Sequence, residues 1–589
     1  MLRRPTISGQ PLHAALTAAL KDCRRAFWGV ALFSAVVNLL MLAGPIYMLQ
    51  IYDRVLASRN IPTLVALTIF LVGAYAFQGI LDLIRSRIVV RAAAILDSRL
   101  GDTVHRAVIA IGARGGNAAE AHQPVRDLDT IRSFMTGAGP TAIVDMPWIP
   151  FFLAICFLIH PWIGVLALVG ALILIAMTIQ TERASRGHAR AVNESGGLRT
   201  TMAESGRRNV ASVVSMGMAG ALAARWAKVN DRHVESVGRS SDVVNSFGSI
   251  TKVLRLLMQS AILGLGAYLV IRQEMTAGAM IAASIMMGRA LAPIEVAIGN
   301  WRGFVAARDS VWRMSAILSR LPAERDVTDL PKPADSLSVE SVIVAPPNGT
   351  STILTNVNFR LSAGDVLGVI GPNGSGKSSL SRVILGIWPP ARGTVRLDGA
   401  ALQQWNPDAL GRHLGYMAQL VELFPGTVAE NIARMAPEPD SAAVLRAAQA
   451  AGAHDMILRL PGGYDTMIGD GGEGLSIGQQ QRIAIARALY GDPFLVLLDE
   501  PSANLDGEGE AALQDAVKQL KLRRAIIIVV VHRRSALALC DKVLVLLNGQ
   551  QRDFGPRDDV MRRMSAPAPV PATGANLKVV GEPSKEERR

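Results

Sequence analysis

Residues 366–384 read VLGVIGPNGSGKSSLSRVI, in which an apolar run passes through a glycine-rich loop into a helix-like pattern. The loop GPNGSGKSS fits the spacing G-x-x-x-x-G-K-S/T between a strand and a helix, the context that this pattern requires. Its glycines allow the backbone N–H groups to converge, and the following helix N-terminus adds positive potential. The stretch predicts a cradle for nucleotide phosphates, formed by Gly371, Pro372, Asn373, Gly374, Ser375, Gly376, Lys377, Ser378 and Ser379.

Two side chains of this loop have specific predicted roles. Lys377 is expected to reach the β and γ phosphates, and the Ser378 hydroxyl is expected to ligate Mg²⁺. A second apolar run, FLVLLDE at 494–500, ends in two carboxylates at the sheet edge where α/β folds bind ligands. We expect Asp499 to hold Mg²⁺ through water, and Glu500 to polarise the attacking water as a general base.

Four further stretches give this region a specific resemblance. They are YMAQLVELFPGTVAENI at 416–432, LSIGQQQR at 475–482, SANLD at 502–506 and VVVHRR at 529–534. With the phosphate loop, and in this order, they resemble the ATPase domain of ABC transporters over about residues 335–560. The strands are continuous Val, Ile and Leu runs, as in a parallel sheet buried on both faces. We therefore expect an α/β P-loop ABC ATPase domain.

The resemblance implies roles for residues outside the phosphate loop. Gln419 stands where the family has a glutamine that senses Mg²⁺ and contacts the membrane domain. Asp506 closes the stretch that resembles the D-loop, and His532 resembles the switch histidine that contacts the γ-phosphate. LSIGQQQR resembles the signature motif, which binds the γ-phosphate of ATP held by a second copy, here through Ser476, Gly478 and Gln479. The chain is thus expected to form a homodimer with two composite ATP sites.

The stretch SVIVAPPNGTSTIL, 341–354, departs from the family pattern. Such domains commonly carry an aromatic residue about 25 positions before the phosphate-loop lysine, and this stretch has none. The resemblance therefore leaves adenine to rest on an aliphatic surface.

The composition of the whole chain indicates that part of it lies in a membrane. Half of all residues are hydrophobic, 19% are charged and the mean hydropathy is +0.29. Apolar stretches long enough to approach a membrane crossing occur at 26–49, 62–81, 140–159, 161–179, 256–271 and 275–298. The formal net charge of +13 admits nucleic acid as a partner, but the arginines concentrate in alternate connections, which the positive-inside rule makes cytoplasmic. We therefore expect a lipid bilayer and no nucleic acid as partner, with both termini cytoplasmic.

The two basic connections are each about sixty residues long, with helix-like periodicity. Unstructured loops of that length are uncommon, so the membrane helices are predicted to continue into the cytoplasm and to end in a short crossing segment at each tip. The predicted domains are a cytoplasmic N-terminal segment, a transmembrane domain, a linker, the ATPase domain and a disordered tail. They cover residues 1–25, 26–320, 321–336, 337–563 and 564–589.

Six spans followed by an ATPase domain on one chain resemble an ABC exporter, whose fold is a domain-swapped dimer. Several stretches are similar to the type I protein-secretion subfamily, of the protease-secretion (PrtD-like) kind. They are PIYMLQIYDRVLASRNIPTL at 45–64, DMPWIPFF at 145–152, HPWIG at 160–164 and GRALAPIEVAIGNW at 288–301. The resemblance implies a bacterial inner-membrane exporter of unfolded polypeptides that carry a C-terminal signal. It also implies a periplasmic adaptor and an outer-membrane duct as partners.

Alternatives remain open at this point. A lipid, glycolipid or small-molecule exporter on the same scaffold needs neither adaptor nor duct. Ionisable residues in or near the spans are costly in lipid and are expected to face the bundle interior or water; they are Asp145, Lys252, Arg255, Arg289 and Glu295. One hypothesis places some of them along the polypeptide pathway. The other gives them structural roles, in which Asp145 caps a helix and Arg289 pairs with a carboxylate across the dimer.

Overall fold

The computed structural model describes residues 6–7, 10–116, 118–320, 330–347, 349, 351–531 and 537–565. The chain divides into two compact units, an N-terminal unit, Met1–Ala323, and a C-terminal unit, Glu324–Arg589. Two predicted segments lie largely outside the described residues. They are the linker, of which residues 321–329 are not described, and the tail, of which residues 566–589 are not described.

The N-terminal unit is built from long helices. Its strands are β1 (Thr6–Ile7) and β2 (Gln10–Pro11), and its helices are α1 (Ala14–Leu40), α2 (Ala43–Gln50), α3 (Leu56–Ser58), α4 (Ile61–Ala113), α5 (Ala118–Thr136), α6 (Gly139–Asp145), α7 (Ile149–Ile159), α8 (Pro161–Arg208), α9 (Val210–Ser215), α10 (Ala219–Ile271), α11 (Ala277–Gly299) and α12 (Trp301–Arg320). Within the described part, six helical stretches are long and apolar enough to cross a membrane. They are Ala14–Ser58, Ile61–Ala113, Gly139–Ile159, Pro161–Arg208, Ala219–Ile271 and Ala277–Gly299, so the six predicted spans are confirmed.

The helices extend well beyond the apolar runs. Helices α4 and α10 each have 53 residues, and α8 has 48. The short helix α9 lies between α8 and α10, as predicted for one tip. At the other tip, α4 ends at Ala113 and α5 begins at Ala118, so only a turn separates them among the described residues.

The start of α1 belongs to a bundle with the extension of α4 and with α5 and α12. Leu16, Ala19 and Cys23 are buried against Leu96 and Leu100 of α4 and against other residues of this bundle. Arg313 of α12 binds the carboxylate of Asp127 on α5 at 2.6 Å, and Asp127 is 1% exposed. Helix α1 therefore begins twelve residues before the predicted span, since one face of its first turns has apolar partners here.

Asp145 does not cap a helix. Its carboxylate lies 3.1 Å from Nη1 of Arg85, and Asn38 donates to it at 3.0 Å. Arg85 also donates to Ser34 at 2.9 Å and forms an ion pair with Asp82 at 2.9 Å. These residues, the Arg85 cluster, join α1, α4 and α6. The helix-cap hypothesis for Asp145 is wrong, because a cation sixty residues away in the chain satisfies its charge.

The other ionisable residues near the spans have varied surroundings. Arg255 pairs with Glu295 at 2.9 Å, which joins α10 to α11 within one chain. Arg289 donates to the sulfur of Met41 at 3.8 Å, and Lys252 is exposed. Whether any of them lies along a polypeptide pathway stays a prediction.

Asp53 ties the first apolar stretch to the last. A turn of π-helix, Ile51–Val55, carries Asp53 to the N-terminus of α11. There its carboxylate accepts from the backbone N–H of Gly278 at 2.8 Å and from the Thr276 hydroxyl at 2.6 Å. A carboxylate at a helix N-terminus satisfies unpaired N–H groups and the helix dipole together.

The C-terminal unit surrounds one large sheet. Its strands are β3 (Ser336–Val344), β4 (Leu354–Ser362), β5 (Val366–Ile370), β6 (Arg392–Leu397), β7 (Ala400–Ala401), β8 (Leu414–Met417), β9 (Gly426–Thr427), β10 (Met467–Ile468), β11 (Leu495–Asp499), β12 (Ile526–Val530), β13 (Lys542–Leu547) and β14 (Gln550–Pro556). Its helices are α13 (Lys377–Ile384), α14 (Pro407–His413), α15 (Val428–Ile432), α16 (Ser441–Ala450), α17 (His454–Leu458), α18 (Ile477–Leu489), α19 (Gly507–Leu522) and α20 (Arg557–Ser565).

The order in the sheet is β7-β6-β3-β4-β14-β13-β5-β12-β11-β8. The neighbours from β13 through β5, β12 and β11 to β8 pair in parallel, and apolar cores cover both faces. This arrangement confirms the predicted α/β domain. It also places the carboxyl ends of β5 and β11 at one edge of the sheet, with β12 between them.

Candidate functional site

The phosphate loop connects β5 to α13. Gly374 and Gly376 have φ angles of +80° and +97°, a left-handed conformation that glycine adopts without strain. Lys377 begins α13 and folds back over the loop, where its ammonium donates to the carbonyls of Gly371 at 2.8 Å and Pro372 at 3.1 Å. The loop thus forms a closed turn around a cation, as a phosphate cradle requires.

Polar atoms around this turn fit a phosphate group. The Ser375 hydroxyl is buried and has no hydrogen-bond partner among the residues that the structure describes. The side chains of Pro372, Asn373 and Ser378 are exposed, and Ser379 is half-buried in the first turn of α13. A methyl group on Gly371 would lie 2.7 Å from the Ser375 hydroxyl, so the loop closes tightly only with glycine there.

The predicted carboxylates lie beside the lysine. Asp499 ends β11 and is 3% exposed, and Glu500 follows it with a φ angle of +53°. Burial lowers the pKa of the Lys377 ammonium, and the negative charges of Glu500 and Asp499 act in the opposite direction. The fold therefore brings Lys377 to the two adjacent carboxylates, which lie more than 120 residues later in the chain.

Gln419 joins the same group of side chains. It lies two residues beyond the end of β8, the strand that pairs with β11, and its Nε2 donates to Oε1 of Glu500 at 3.0 Å. Sequence reasoning missed Tyr416, on the same strand. Burial raises the pKa of Tyr416, and the charge of Asp499 adds to this effect. Tyr416 opens the stretch YMAQLVELFPGTVAENI, but the resemblance assigned a role there only to Gln419.

The signature stretch forms the start of α18. Ser476 is the N-cap, and its hydroxyl accepts from the backbone N–H of Gln479 at 3.3 Å. The Gln479 side chain in turn accepts from the Ser476 backbone N–H at 2.8 Å, which completes a capping box. Gly478 lies in the first turn, and a methyl group there would approach the Asn504 carbonyl to 3.1 Å. The structure thus confirms a helix start, while phosphate binding there stays a prediction.

Asp506 is held by its own domain. Its carboxylate caps α19 by accepting from Gly509 at 2.8 Å and pairs with Arg482 at 2.6 Å. The hydrogen bond from Gly509, followed by the one from Arg482, lowers the pKa of Asp506. A role in nucleotide binding therefore remains a prediction. His532 lies outside the described residues.

Gln481 is a second residue that sequence reasoning missed. It is 1% exposed, and its amide donates to the carbonyl of Pro501 and accepts from the N–H of Asn504 at 3.2 Å. It therefore fixes the segment after Glu500 against α18. A glutamine inside an otherwise apolar helix face was the only signal in the sequence.

The surroundings of the predicted adenine position are aliphatic. A methyl group on Gly376 would contact side-chain atoms of Leu354 at 2.4 Å and Ile353 at 3.4 Å. Leu354 begins β4 and Ile353 precedes it, at the end of the stretch that lacks an aromatic residue. Stacking of adenine on them stays a prediction.

Comparisons with known proteins agree with this arrangement. Residues 354–503 match the ABC transporter family model, and residues 27–291 match the model for the ABC transporter transmembrane region. A structure of a bacterial Atm1-family ABC exporter with ATP bound is similar in fold, with a TM-score of 0.81 at 22% identity. The alignment covers 92% of this chain and 97% of that one.

The similar proteins of known sequence include secretion proteins. The type I secretion system ATP-binding protein PrsD of Rhizobium meliloti (strain 1021) is 50% identical over 565 residues, or 96% of this chain and 97% of that protein. The cyclolysin secretion/processing ATP-binding protein CyaB of Bordetella pertussis and the leukotoxin translocation ATP-binding protein LktB of Mannheimia haemolytica are each 29% identical, over 92% of this chain and 77% of theirs. The chain belongs to the ABC transporter family, among its type I secretion ATP-binding proteins, and couples ATP hydrolysis to transport.

Proposed function

We propose that the chain exports unfolded polypeptides across the bacterial inner membrane as the ABC component of a type I secretion system. The observation that carries this proposal is the 50% identity to a type I secretion protein along nearly the whole of both chains. Such similarity includes the membrane helices as well as the ATPase domain. The exported polypeptide is proposed to carry an uncleaved C-terminal signal, and its identity is a question for experiment.

We propose that the phosphate loop binds ATP, with Lys377 on the β and γ phosphates. Mg²⁺ would be held by Ser378, Gln419 and Asp499, and it would neutralise charge on the transferred phosphate. The donor set supports this assignment, since hydroxyl, amide and carboxylate oxygens are the ligands that Mg²⁺ accepts. The bond from Gln419 to Glu500 uses the amide nitrogen, so the amide oxygen is the atom suited to the cation.

Glu500 is proposed to orient and deprotonate the water that attacks the γ-phosphate. Its carboxylate lies at the end of β11, next to the proposed Mg²⁺ ligand Asp499. The left-handed backbone of Glu500 supports a functional role, because non-glycine residues keep such a conformation only where their surroundings enforce it. His532 is proposed to contact the γ-phosphate.

The ATP site is proposed to be completed by a second copy of the chain. Ser476, Gly478 and Gln479 would meet the partner's γ-phosphate at the N-terminus of α18. Although the Ser476 hydroxyl already accepts a bond from its own helix, a hydroxyl also donates, so it can serve cap and phosphate together. The proposed dimer is domain-swapped, with six spans and one ATPase domain from each chain.

We further propose that both termini are cytoplasmic and that a periplasmic adaptor and an outer-membrane duct complete the pathway. The distribution of arginines supports this orientation, because they concentrate in the two long extensions and before the first span. A polypeptide that reaches the medium in one step would need a continuous conduit beyond the inner membrane, and the adaptor and duct are proposed to form it.

The test replaces the chromosomal copy with Glu500→Gln and compares the secreted proteins of the two strains by mass spectrometry. A matched control is Glu438→Gln, which makes the same chemical change at an exposed loop position in the same unit. We expect a few proteins to leave the medium and to accumulate inside the Glu500→Gln strain only. An unchanged supernatant, at normal abundance of the variant, contradicts polypeptide export and directs the comparison to envelope lipids in the same strains.

A further inference from the structure

Two arginines join the signature helix α18 to the segment that contains Gln419. This Q-loop segment, residues 419–435, runs from the end of β8 through α15 to a left-handed turn at Arg434 and Met435. Helix α18 carries Ser476 at its N-terminus, and Arg487 lies in its last turn. Each arginine reaches from its own element to the other, so the two contacts run in opposite directions.

Arg434 binds the C-terminal end of α18. Its guanidinium donates to the carbonyl of Arg487 at 3.2 Å, to that of Ala488 at 3.3 Å and to that of Gly411 at 2.8 Å. The last carbonyls of a helix have no partner within the helix, and a cation is favoured there by the helix dipole. One side chain of the Q-loop segment thus serves as the C-terminal cap of the signature helix.

Arg487 makes the reciprocal contact. Its guanidinium donates to the carbonyl of Glu422 at 3.1 Å and lies 5.7 Å from the ring centre of Phe424. Both arginines are half-buried, and this burial lowers the pKa of each guanidinium, while the charge of Glu422 acts in the opposite direction on Arg487. A desolvated guanidinium is costly to leave without its partners, so each contact resists separation.

The Q-loop segment is itself stiff enough to transmit a movement. The buried Asn431 side chain accepts from the N–H of Phe424 at 2.9 Å and donates to its carbonyl at 2.9 Å, which ties the loop at Phe424 to α15. Arg434 and Met435 both have φ angles of +57°, a conformation that non-glycine residues rarely adopt and that surrounding contacts must hold. Strand β8, which precedes the Q-loop segment, also lies close to the end of α18. A methyl group on Gly415 of β8 would lie 2.2 Å from the Ala488 carbonyl.

We infer that Arg434 and Arg487 are positioning residues that hold the Q-loop segment and the signature helix as one body. A displacement of the Q-loop segment would then move the Ser476 end of α18, about 20 Å away along a helix of thirteen residues. Neither arginine touches the phosphate loop. This inference rests on the proposed composite ATP site, because the Ser476 end matters for catalysis only if it meets a partner's phosphate.

The test uses the purified full-length chain in lipid nanodiscs and the variants Arg434→Gln, Arg487→Gln and the double variant. We expect kcat for ATP hydrolysis to fall about tenfold or more in each single variant, since small misplacement of a remote group has costs of this size. Affinity for a fluorescent ATP analogue at the phosphate loop should stay within about twofold, which separates a binding defect from a positioning defect. The double variant should lose little more than either single one, because both contacts serve one joint.

Two further variants make the result specific. Arg557→Gln is the matched control, since Arg557 also donates to a backbone carbonyl, that of Ala538 at 2.9 Å, but in α20. It should keep wild-type turnover. Arg434→Lys keeps the charge and one donor without the fork, so it should retain intermediate turnover, about threefold below wild type. This variant also carries the test if Arg434→Gln does not fold.

Either of two results overturns the inference. One is a kcat within about twofold of wild type in both single variants, or in Arg434→Lys where that variant carries the test. The other is a fall in kcat that is accompanied by proportional falls in thermal stability and in nucleotide affinity. Such a result indicates that the arginines only stabilise the fold. The Glu500→Gln variant, measured in parallel, keeps the proposed function separate. If it hydrolyses ATP like the wild type, the proposed site is wrong whatever the arginine variants do.

Discussion

Replacing Arg85 by methionine should destabilise the N-terminal unit more than any exposed ion-pair change. Arg85 and Asp145 have side chains only 13% and 18% exposed, and each lies in one of the six apolar helical stretches. Arg85 neutralises Asp145 and Asp82 and also donates to Ser34. Methionine keeps much of the length and removes the charge, so two carboxylates lose their only cation within the described cluster.

The expected magnitudes follow from burial and from the number of contacts. Removing one partner of a buried ion pair costs about 3–5 kcal/mol, which is the range expected for Arg85→Met. Asp145→Asn keeps a hydrogen-bonding group and should cost about 1.5–3 kcal/mol, the value of hydrogen bonds to a charged group. The double variant should cost less than the sum of the two, with a coupling of roughly 1–3 kcal/mol.

The assay is SDS-induced unfolding of the purified chain in mixed micelles, followed by tryptophan fluorescence. Arg99→Met is the control, because Arg99 and Asp22 form a pair of similar length, 3.2 Å, with side chains 66% and 47% exposed. That change should cost about 0–1 kcal/mol. If Arg85→Met is no more destabilising than Arg99→Met, or if the two cluster variants are additive, the Arg85 cluster is hydrated and the reasoning from burial is refuted.

Three other predictions concern the C-terminal unit and the thiols. Gly376→Ala should weaken binding of a fluorescent ATP analogue about tenfold or more, because its methyl group would lie 2.4 Å from a Leu354 side-chain carbon. Gly374 also has a positive φ angle but open space around it, so Gly374→Ala should lose less affinity. Equal losses of affinity in the two variants would contradict the role of the close contact. Burial, followed by the charges of Lys332 and Arg412, lowers the pKa of His413 from 6.5, so the unfolded state binds the proton more tightly than the folded state. Thermal stability should therefore fall as the pH drops below 6.5, and His413→Gln should make stability depend less on pH. The same slope of stability against pH in wild type and variant would contradict this prediction. All three cysteines are buried, and burial raises the pKa of Cys540 to about 12. At neutral pH, a maleimide reagent should therefore modify the folded chain much more slowly than the chain unfolded in SDS. Rapid labelling of the folded chain would contradict the burial of these thiols.

Hydropathy predicted where the spans lie but not where their helices begin and end. Helix α1 starts at Ala14 because Leu16, Ala19 and Cys23 pack on the extension of α4, and this stripe is too sparse to raise the hydropathy of its window. The form of each crossing segment could not be predicted either, since both a turn and a short helix suit a charged connection. The length of an extension depends on partners from distant parts of the chain.

The ATP site was more predictable than its supports. The phosphate loop and the paired carboxylates have local spacing that reflects their chemistry. The family resemblance indicated Gln419, and in the fold its amide nitrogen lies 3.0 Å from Oε1 of Glu500. Arg434, Arg487 and Gln481 carry no such spacing, because their partners are backbone carbonyls and N–H groups that every residue possesses. Asp145 was misread for a related reason, as its partner Arg85 lies in another helix.

The great length of α4, α8 and α10 has a mechanical consequence. Prolines in these helices occur only in the first turn of α4 and of α8, so no proline bends their interiors. A helix of 53 residues is about 80 Å long, and tilting it by about 5° as a rod moves its far end by about 7 Å. A small change in the angle of such a helix at one end therefore produces a large displacement at the other end. This displacement exceeds the diameter of a water molecule.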